Sequence, residues 1–137
     1  MGGSPVPRLL ALVLEDEVDL RTMLGLTLAR MGFDVLEAGT GEQALDITRE
    51  RVPDLVLIDL MLPGISGFEV LTTLRVDARF DASALLVCTA LRGLDRVETC
   101  LEAGADDYIQ KPLEVAALRA KVERALRKRG KFHQMPS

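Results

Sequence analysis

The sequence predicts an α/β fold: a five-stranded parallel sheet with helices on both faces, built from five successive βα units. Three observations predict it. Five short apolar runs recur along the chain: Leu9–Leu14, Phe33–Leu36, Leu55–Ile58, Ala84–Thr89 and Tyr108–Ile109. Segments of helical spacing lie between and after them. The runs are near-continuous rather than alternating, as expected for strands covered on both faces. Strictly alternating βα order argues for right-handed crossovers and one parallel sheet.

Each helix carries local signals. Leu20, Met23, Leu24, Leu28 and Met31 share one helical face, and Gly32 is placed to stop that helix. Thr40-Gly41-Glu42-Gln43 has capping-box spacing and would start a second helix running to about Glu50. Ser66 would cap a third, bearing Phe68, Val70, Leu71 and Leu74. Leu94, Val97 and Leu101 mark a fourth, stopped by Gly104, and Val115, Leu118, Val122 and Leu126 mark a fifth.

With 137 residues the chain suits one domain: residues 1–7 read as an N-terminal tail and 8–128 as the domain. Residues 129–137, basic and then polar, read as a solvated C-terminal tail or the start of a linker. A net charge of −4 disfavours non-specific nucleic-acid binding. No apolar run approaches the roughly 20 residues that span a bilayer. The MGGSPVPR start lacks a signal-peptide pattern, so a cytoplasmic protein with no membrane partner is expected. Cys88 and Cys100 lack metal-site spacing and read as packed, reduced thiols. The lone His133 lies in the polar tail, which argues against nucleophile–histidine catalysis.

Ligands of open parallel sheets bind beyond the carboxyl ends of the strands. There the first strand runs into Glu15-Asp16, the third ends at Asp59, the fourth at Thr89, and the fifth runs into Gln110-Lys111-Pro112. Taken singly, these are ordinary turn, strand or surface residues. Together they put three carboxylates at one edge. Such carboxylates repel unless a cation compensates, and an all-oxygen donor set suits Mg2+. Lys111 would add a fixed positive charge and Thr89 a hydroxyl. These are the parts needed to transfer a phosphoryl group to Asp59 as nucleophile.

LVLEDE (12–17), DLVLIDLMLPGISGFEVL (54–71), Thr89-Ala90 and LEAGADDYIQKP (101–112) together resemble the receiver domain of bacterial two-component response regulators. The resemblance runs from about Arg8 to Arg127 and implies a flavodoxin-like receiver fold. It implies that Asp59 accepts a phosphoryl group from a sensor histidine kinase or phosphotransfer protein. Mg2+ would be bound by Asp16, Asp59 and the Met61 carbonyl, with Glu15 acting through a water. Lys111 would pair with the phosphoryl group, and the peptide before Pro112 would be cis. Thr89 would move toward the phosphoryl oxygens, and Tyr108 would turn inward behind it. The output surface would be the fourth helix, fifth strand and fifth helix. The ADDY run resembles regulators that dimerise through that face and carry a DNA-binding domain; no such domain is expected within these 137 residues. Asp106 and Asp107 could pair across such a dimer with Arg119 or Lys121.

Departures also carry information. Glu15 stands where Asp is common, and Ser66 where many relatives have an acid. Met61 and Leu91, two residues beyond Asp59 and Thr89, would position attacking water poorly and favour a slowly reset switch. Met61 also argues against a haloacid-dehalogenase-type phosphatase, which needs an acid there. A pseudo-receiver without phosphoryl chemistry usually loses the acid pair, the acceptor or the lysine, and this chain keeps them all.

Overall fold

The computed structural model describes residues 8–136; the tail expected over 1–7 lies outside them. Within that span the order is β1 (Leu10–Leu14), α1 (Val18–Arg30), β2 (Asp34–Ala38), α2 (Gly41–Glu50) and β3 (Leu55–Ile58). It continues with α3 (Gly67–Arg75), β4 (Ala84–Thr89), α4 (Leu94–Glu102), β5 (Asp107–Gln110) and α5 (Val115–Lys128). All strand pairs are parallel, in the order β2-β1-β3-β4-β5. The winding therefore reverses between β1 and β3, and this leaves a crevice at their carboxyl ends.

Alternation along each strand divides the core. Ala11, Val13, Leu55 and Leu57 face Leu24, Leu28, Leu118, Val122 and Leu126. Leu12, Leu14, Val56, Ile58, Leu85 and Val87 face Val70, Leu71, Leu74 and Cys100. Burial on both faces explains the continuous runs of β1, β3 and β4, whereas β2 at the sheet edge is largely half-buried or exposed. Cys88 and Cys100 are buried free thiols, and burial pushes the Cys88 thiol up to about 12.

The caps follow the sequence. The Thr40 side chain accepts from Gln43 N–H, and Ser66 from Glu69 N–H. Gln43 closes its box on the amide of Gly39, one residue ahead of the cap (2.8 Å). Gly32 and Gly104 end α1 and α4 at φ +105° and +114°, where L side chains are strained.

The helix faces differ from expectation in three places. Met23 is exposed because α1 buries Leu24, Gly25 and Leu28, and Gly25 brings the helix close to Val35 and Glu37 on β2. On α4 only Val97 of the stripe Leu94–Val97–Leu101 packs against the core. Leu94 is 71% and Leu101 43% exposed, whereas Cys100, about 100° round the helix, packs inward. Val115 on α5 is likewise exposed.

The basic end is not a solvated tail as far as it is described. Lys131 Nζ lies 2.5 Å from Asp54 Oδ1, and Arg127 stacks 3.9 Å over the Phe132 ring. Phe132 and Met135 pack against the core beneath α1 and α5. These apolar side chains and the Asp54 carboxylate give the segment a place to fold onto, which composition alone does not reveal.

Asp106 is also placed differently from expectation. Its side chain is 0% exposed and is held by Arg75 Nη2 (3.1 Å), Leu85 N–H (2.9 Å) and Arg129 Nη2 (2.6 Å), with Lys128 at 3.2 Å. It is enclosed within its own chain and is not available to a partner. Asp107 pairs with Lys121 of the same chain at 3.1 Å, and Arg119 with Glu123 at 3.4 Å.

Burial alone would raise the Asp106 carboxyl, but Arg129, the Leu85 amide and Lys128 outweigh it and hold its pKa below the ordinary value. Its contribution to stability is therefore complete above the unfolded-state pKa of about 3.9 and is lost as pH falls through the lower folded value. Asp106→Ala strands two arginines and a buried amide and is expected to cost about 3–5 kcal/mol in urea unfolding. A loss below about 1 kcal/mol would show that the enclosure contributes little.

Candidate functional site

Backbone pairing brings the polar strand ends level. Asp59 N–H donates to Leu14 O (3.0 Å) and Lys111 N–H to Thr89 O (2.9 Å), so the residues that follow β1, β3 and β5 gather beside the end of β4. Glu15 and Asp59 are buried, while Asp16 beside them is exposed. One carboxylate oxygen from each of the three lies within 4.8 Å of the others. Lys111 Nζ donates to Glu15 Oε1 at 2.5 Å and to Asp59 Oδ2 at 3.0 Å. The Lys111–Pro112 peptide is cis.

The two buried carboxylates are oriented by backbone as well. Glu15 Oε2 accepts from Glu17 N–H (3.1 Å), and Asp59 Oδ1 from Met61 N–H (3.1 Å). Arg21 reaches back from α1 to the Glu15 carbonyl (2.8 Å). Burial raises the Glu15 carboxyl, against the lowering effect of Lys111. Burial would lower the Lys111 ammonium, but its bonds to Glu15 and Asp59 outweigh this and raise it. The lysine is therefore a fixed cation. One ammonium facing two buried carboxylates and one exposed carboxylate leaves negative charge to be neutralised, and hard oxygen donors suit Mg2+.

Thr89 is fully buried, and its Oγ1 accepts from Leu91 N–H at 3.4 Å. Tyr108 lies inward, its hydroxyl donating to Leu91 O (2.6 Å), where Gln110 Nε2 also donates (3.3 Å). The β4–α4 loop is thus tied both to Thr89 and to β5. Met61 is 54% exposed beside Asp59. A cleft of about 390 Å3, lined in part by Leu20, Met23, Pro112 and Leu113, opens next to Lys111.

Glu15, Asp16, Asp59 and Lys111 thus converge as the sequence suggests, and Met61 joins through its amide. Arg21 and Gly67 were not foreseen. A Cβ on Gly67 would sit 1.9 Å from the Asp59 carbonyl oxygen, so α3 starts against the Asp59 peptide. Its position directly after the Ser66 cap was the only hint.

Residues 11–123 match the family described as "Response regulator receiver domain". The chain belongs to that family. It is 42% identical over 117 residues to the transcriptional regulatory protein AfsQ1 of Streptomyces coelicolor, which covers 85% of this chain and 51% of that protein. It is 44% identical over 117 residues to the DNA-binding response regulator MtrA of Mycolicibacterium paratuberculosis, with 85% and 51% covered. The chain therefore spans about half the length of these relatives. Among solved structures it resembles a CheY-like response regulator receiver domain protein of Methanospirillum hungatei, with TM-score 0.83, 25% identity, and 91% and 98% of the two chains covered. It also resembles the BeF3-activated DrrB receiver domain, with TM-score 0.79, 29% identity, and 88% and 99% covered. Receiver domains of response regulators are phosphorylation-dependent signalling switches that take phosphate from histidine kinases and bind Mg2+ at an acidic pocket. No described helix is long and apolar enough to cross a membrane.

A Cβ at Gly67 has no space unless α3 or the Asp59 peptide shifts. Gly67→Ala is expected to lose about 3 kcal/mol or more in urea unfolding. Stability within about 0.5 kcal/mol of wild type would contradict so close an approach.

Proposed function

We propose that Asp59 is the phosphoacceptor of this receiver, loaded by a sensor histidine kinase or phosphotransfer protein. The observation that supports this is one buried carboxylate, Asp59, hydrogen-bonded to Lys111 and within reach of Glu15 and Asp16. An Asp59 carboxylate oxygen attacks phosphorus in line as the phosphorus–nitrogen bond of the donor phosphohistidine breaks, and the electron pair leaves with the imidazole. The Met61 amide and the Lys111 ammonium hold the carboxylate in place, and Lys111 then pairs with the transferred phosphoryl oxygens. Asp16, Asp59 and the Met61 carbonyl would hold Mg2+, with Glu15 acting through a water; the ion would neutralise charge on the phosphoryl group. The apolar cleft beside Lys111 offers the donor protein a contact next to the acceptor.

Thr89 carries the change outward. Its hydroxyl turns to the phosphoryl oxygens, the β4–α4 loop bonded to it shifts, and Tyr108, bonded to Leu91, follows. The output face is α4, β5 and α5, where Leu94, Leu101 and Val115 are exposed. A phosphorylation-dependent homodimer through this face is part of the proposal, without Asp106 as a cross-partner. The domain acts in the cytoplasm and does not itself contact nucleic acid; a DNA-binding output domain, as the names of AfsQ1 and MtrA suggest, would do so.

Incubation with Mg2+ and a small acyl phosphate, followed by intact-mass measurement, is expected to show one phosphoryl adduct that is absent in Asp59→Asn. With Met61 and Leu91 flanking the site, that adduct should persist for minutes or longer once donor is removed. No adduct in the wild type would refute the acceptor role, and loss within seconds would refute the slow reset.

A further inference from the structure

The loop from Leu60 to Ser66 carries Met61, whose amide orients Asp59, and it ends at the α3 cap. Little of it is buried: Met61, Pro63 and Gly64 are exposed. Its near end is closed by its own backbone, with Leu62 N–H and Gly67 N–H both donating to Leu60 O at 3.2 Å. Its far end is held from another element. The carboxylate of Glu42, in the first turn of α2, accepts from Ile65 N–H at 3.0 Å across 23 residues of sequence.

The fit around that bond is tight. Gly64 has φ +74°, and a Cβ there would lie 2.7 Å from Glu42 Oε1. A Cβ on Gly41 would lie 2.7 Å from Ile65 O. Two glycines therefore let α2 and the loop approach closely enough for the carboxylate to reach the amide. The Ile65 amide, and then Glu42's own amide, hold the Glu42 carboxyl below its ordinary pKa, so it is ionised at neutral pH. Glu42 is exposed and supports no core packing. Its one long-range bond goes to the loop that carries Met61.

We infer that Glu42 is a positioning residue: it clamps the loop from Leu60 to Ser66 so that Met61 presents its amide to Asp59 and its carbonyl to the metal site. This rests on the functional reading above, and it adds that the first turn of α2, just beyond the end of β2, sets the precision of the site. Without the clamp the Ile65 amide turns to water, and the loop samples positions in which Met61 is misplaced. The global fold is unaffected, because the bond is at the surface.

The test compares wild type, Glu42→Ala and Glu42→Gln by Mg2+ calorimetry, Ile65 amide hydrogen exchange without metal, and thermal unfolding. Glu42→Ala should speed Ile65 exchange and weaken Mg2+ binding about three- to tenfold, at or below the low end of outer-shell effects on metal affinity. Its unfolding midpoint should stay at the wild-type value. Glu42→Gln, which keeps the acceptor oxygen and loses the charge, should bind Mg2+ within about twofold of wild type, a difference of roughly 0.4 kcal/mol. Unchanged Mg2+ affinity in Glu42→Ala overturns the clamp alone. A glutamine variant as weak as the alanine one also overturns it, since charge would then be the cause. A wild type that binds no Mg2+ overturns the functional reading, and the clamp with it.

Discussion

At the carboxyl ends of β1, β3 and β5, two carboxylates with almost no solvent contact share a single ammonium, and a third carboxylate stands beside them. Burying charge is costly unless it is paired, and removing one partner of such a set strands the others. Lys111 compensates only part of this charge. The remainder makes the site receptive to a divalent cation, which in the proposed function would join the lysine in offsetting the charge of an incoming phosphoryl group. Much of the upper half of the molecule serves to keep these groups in register despite their repulsion.

The restraints come from the backbone. Parallel pairing levels the strand ends, Met61 and Glu17 amides orient the two buried carboxylates, and Gly67 lets α3 close on the Asp59 peptide. At the opposite edge the Asp106 enclosure and the folded segment beyond α5 tie α3, β4 and α5 together. The site is strained electrostatically and the base is well compensated. This division suits a switch, because the labile part sits where charge arrives and the scaffold below stays fixed.

The strands were legible because burial on both faces forces continuous apolar runs, and Asp59 stood out as an acid ending one. Thr40, Ser66, Gly32 and Gly104 were legible as caps and stops because their chemistry is local. Leu94 and Leu101 misled, since helical spacing reveals that a stripe exists but not whether it meets the sheet or solvent. Asp106 and the 129–136 segment misled for a related reason. A carboxylate reads as exposed until two arginines from distant elements enclose it, and a basic tail reads as solvated until Asp54 and the core accept it. Gly67, Arg21 and Glu42 depend on contacts between backbone segments that are distant in sequence or too close for a side chain, which spacing does not encode.

The uncompensated charge at the strand ends is tested most directly by thermal unfolding of wild type and Asp59→Asn, each in EDTA and in MgCl2. The wild-type midpoint should rise with Mg2+, by about 2.7 kcal/mol of stabilisation at a hundred times the dissociation constant. In EDTA the asparagine variant should already be the more stable protein, and it should gain less from Mg2+. A wild type equally stable in EDTA and MgCl2, with an asparagine variant no more stable than wild type in EDTA, would contradict the account.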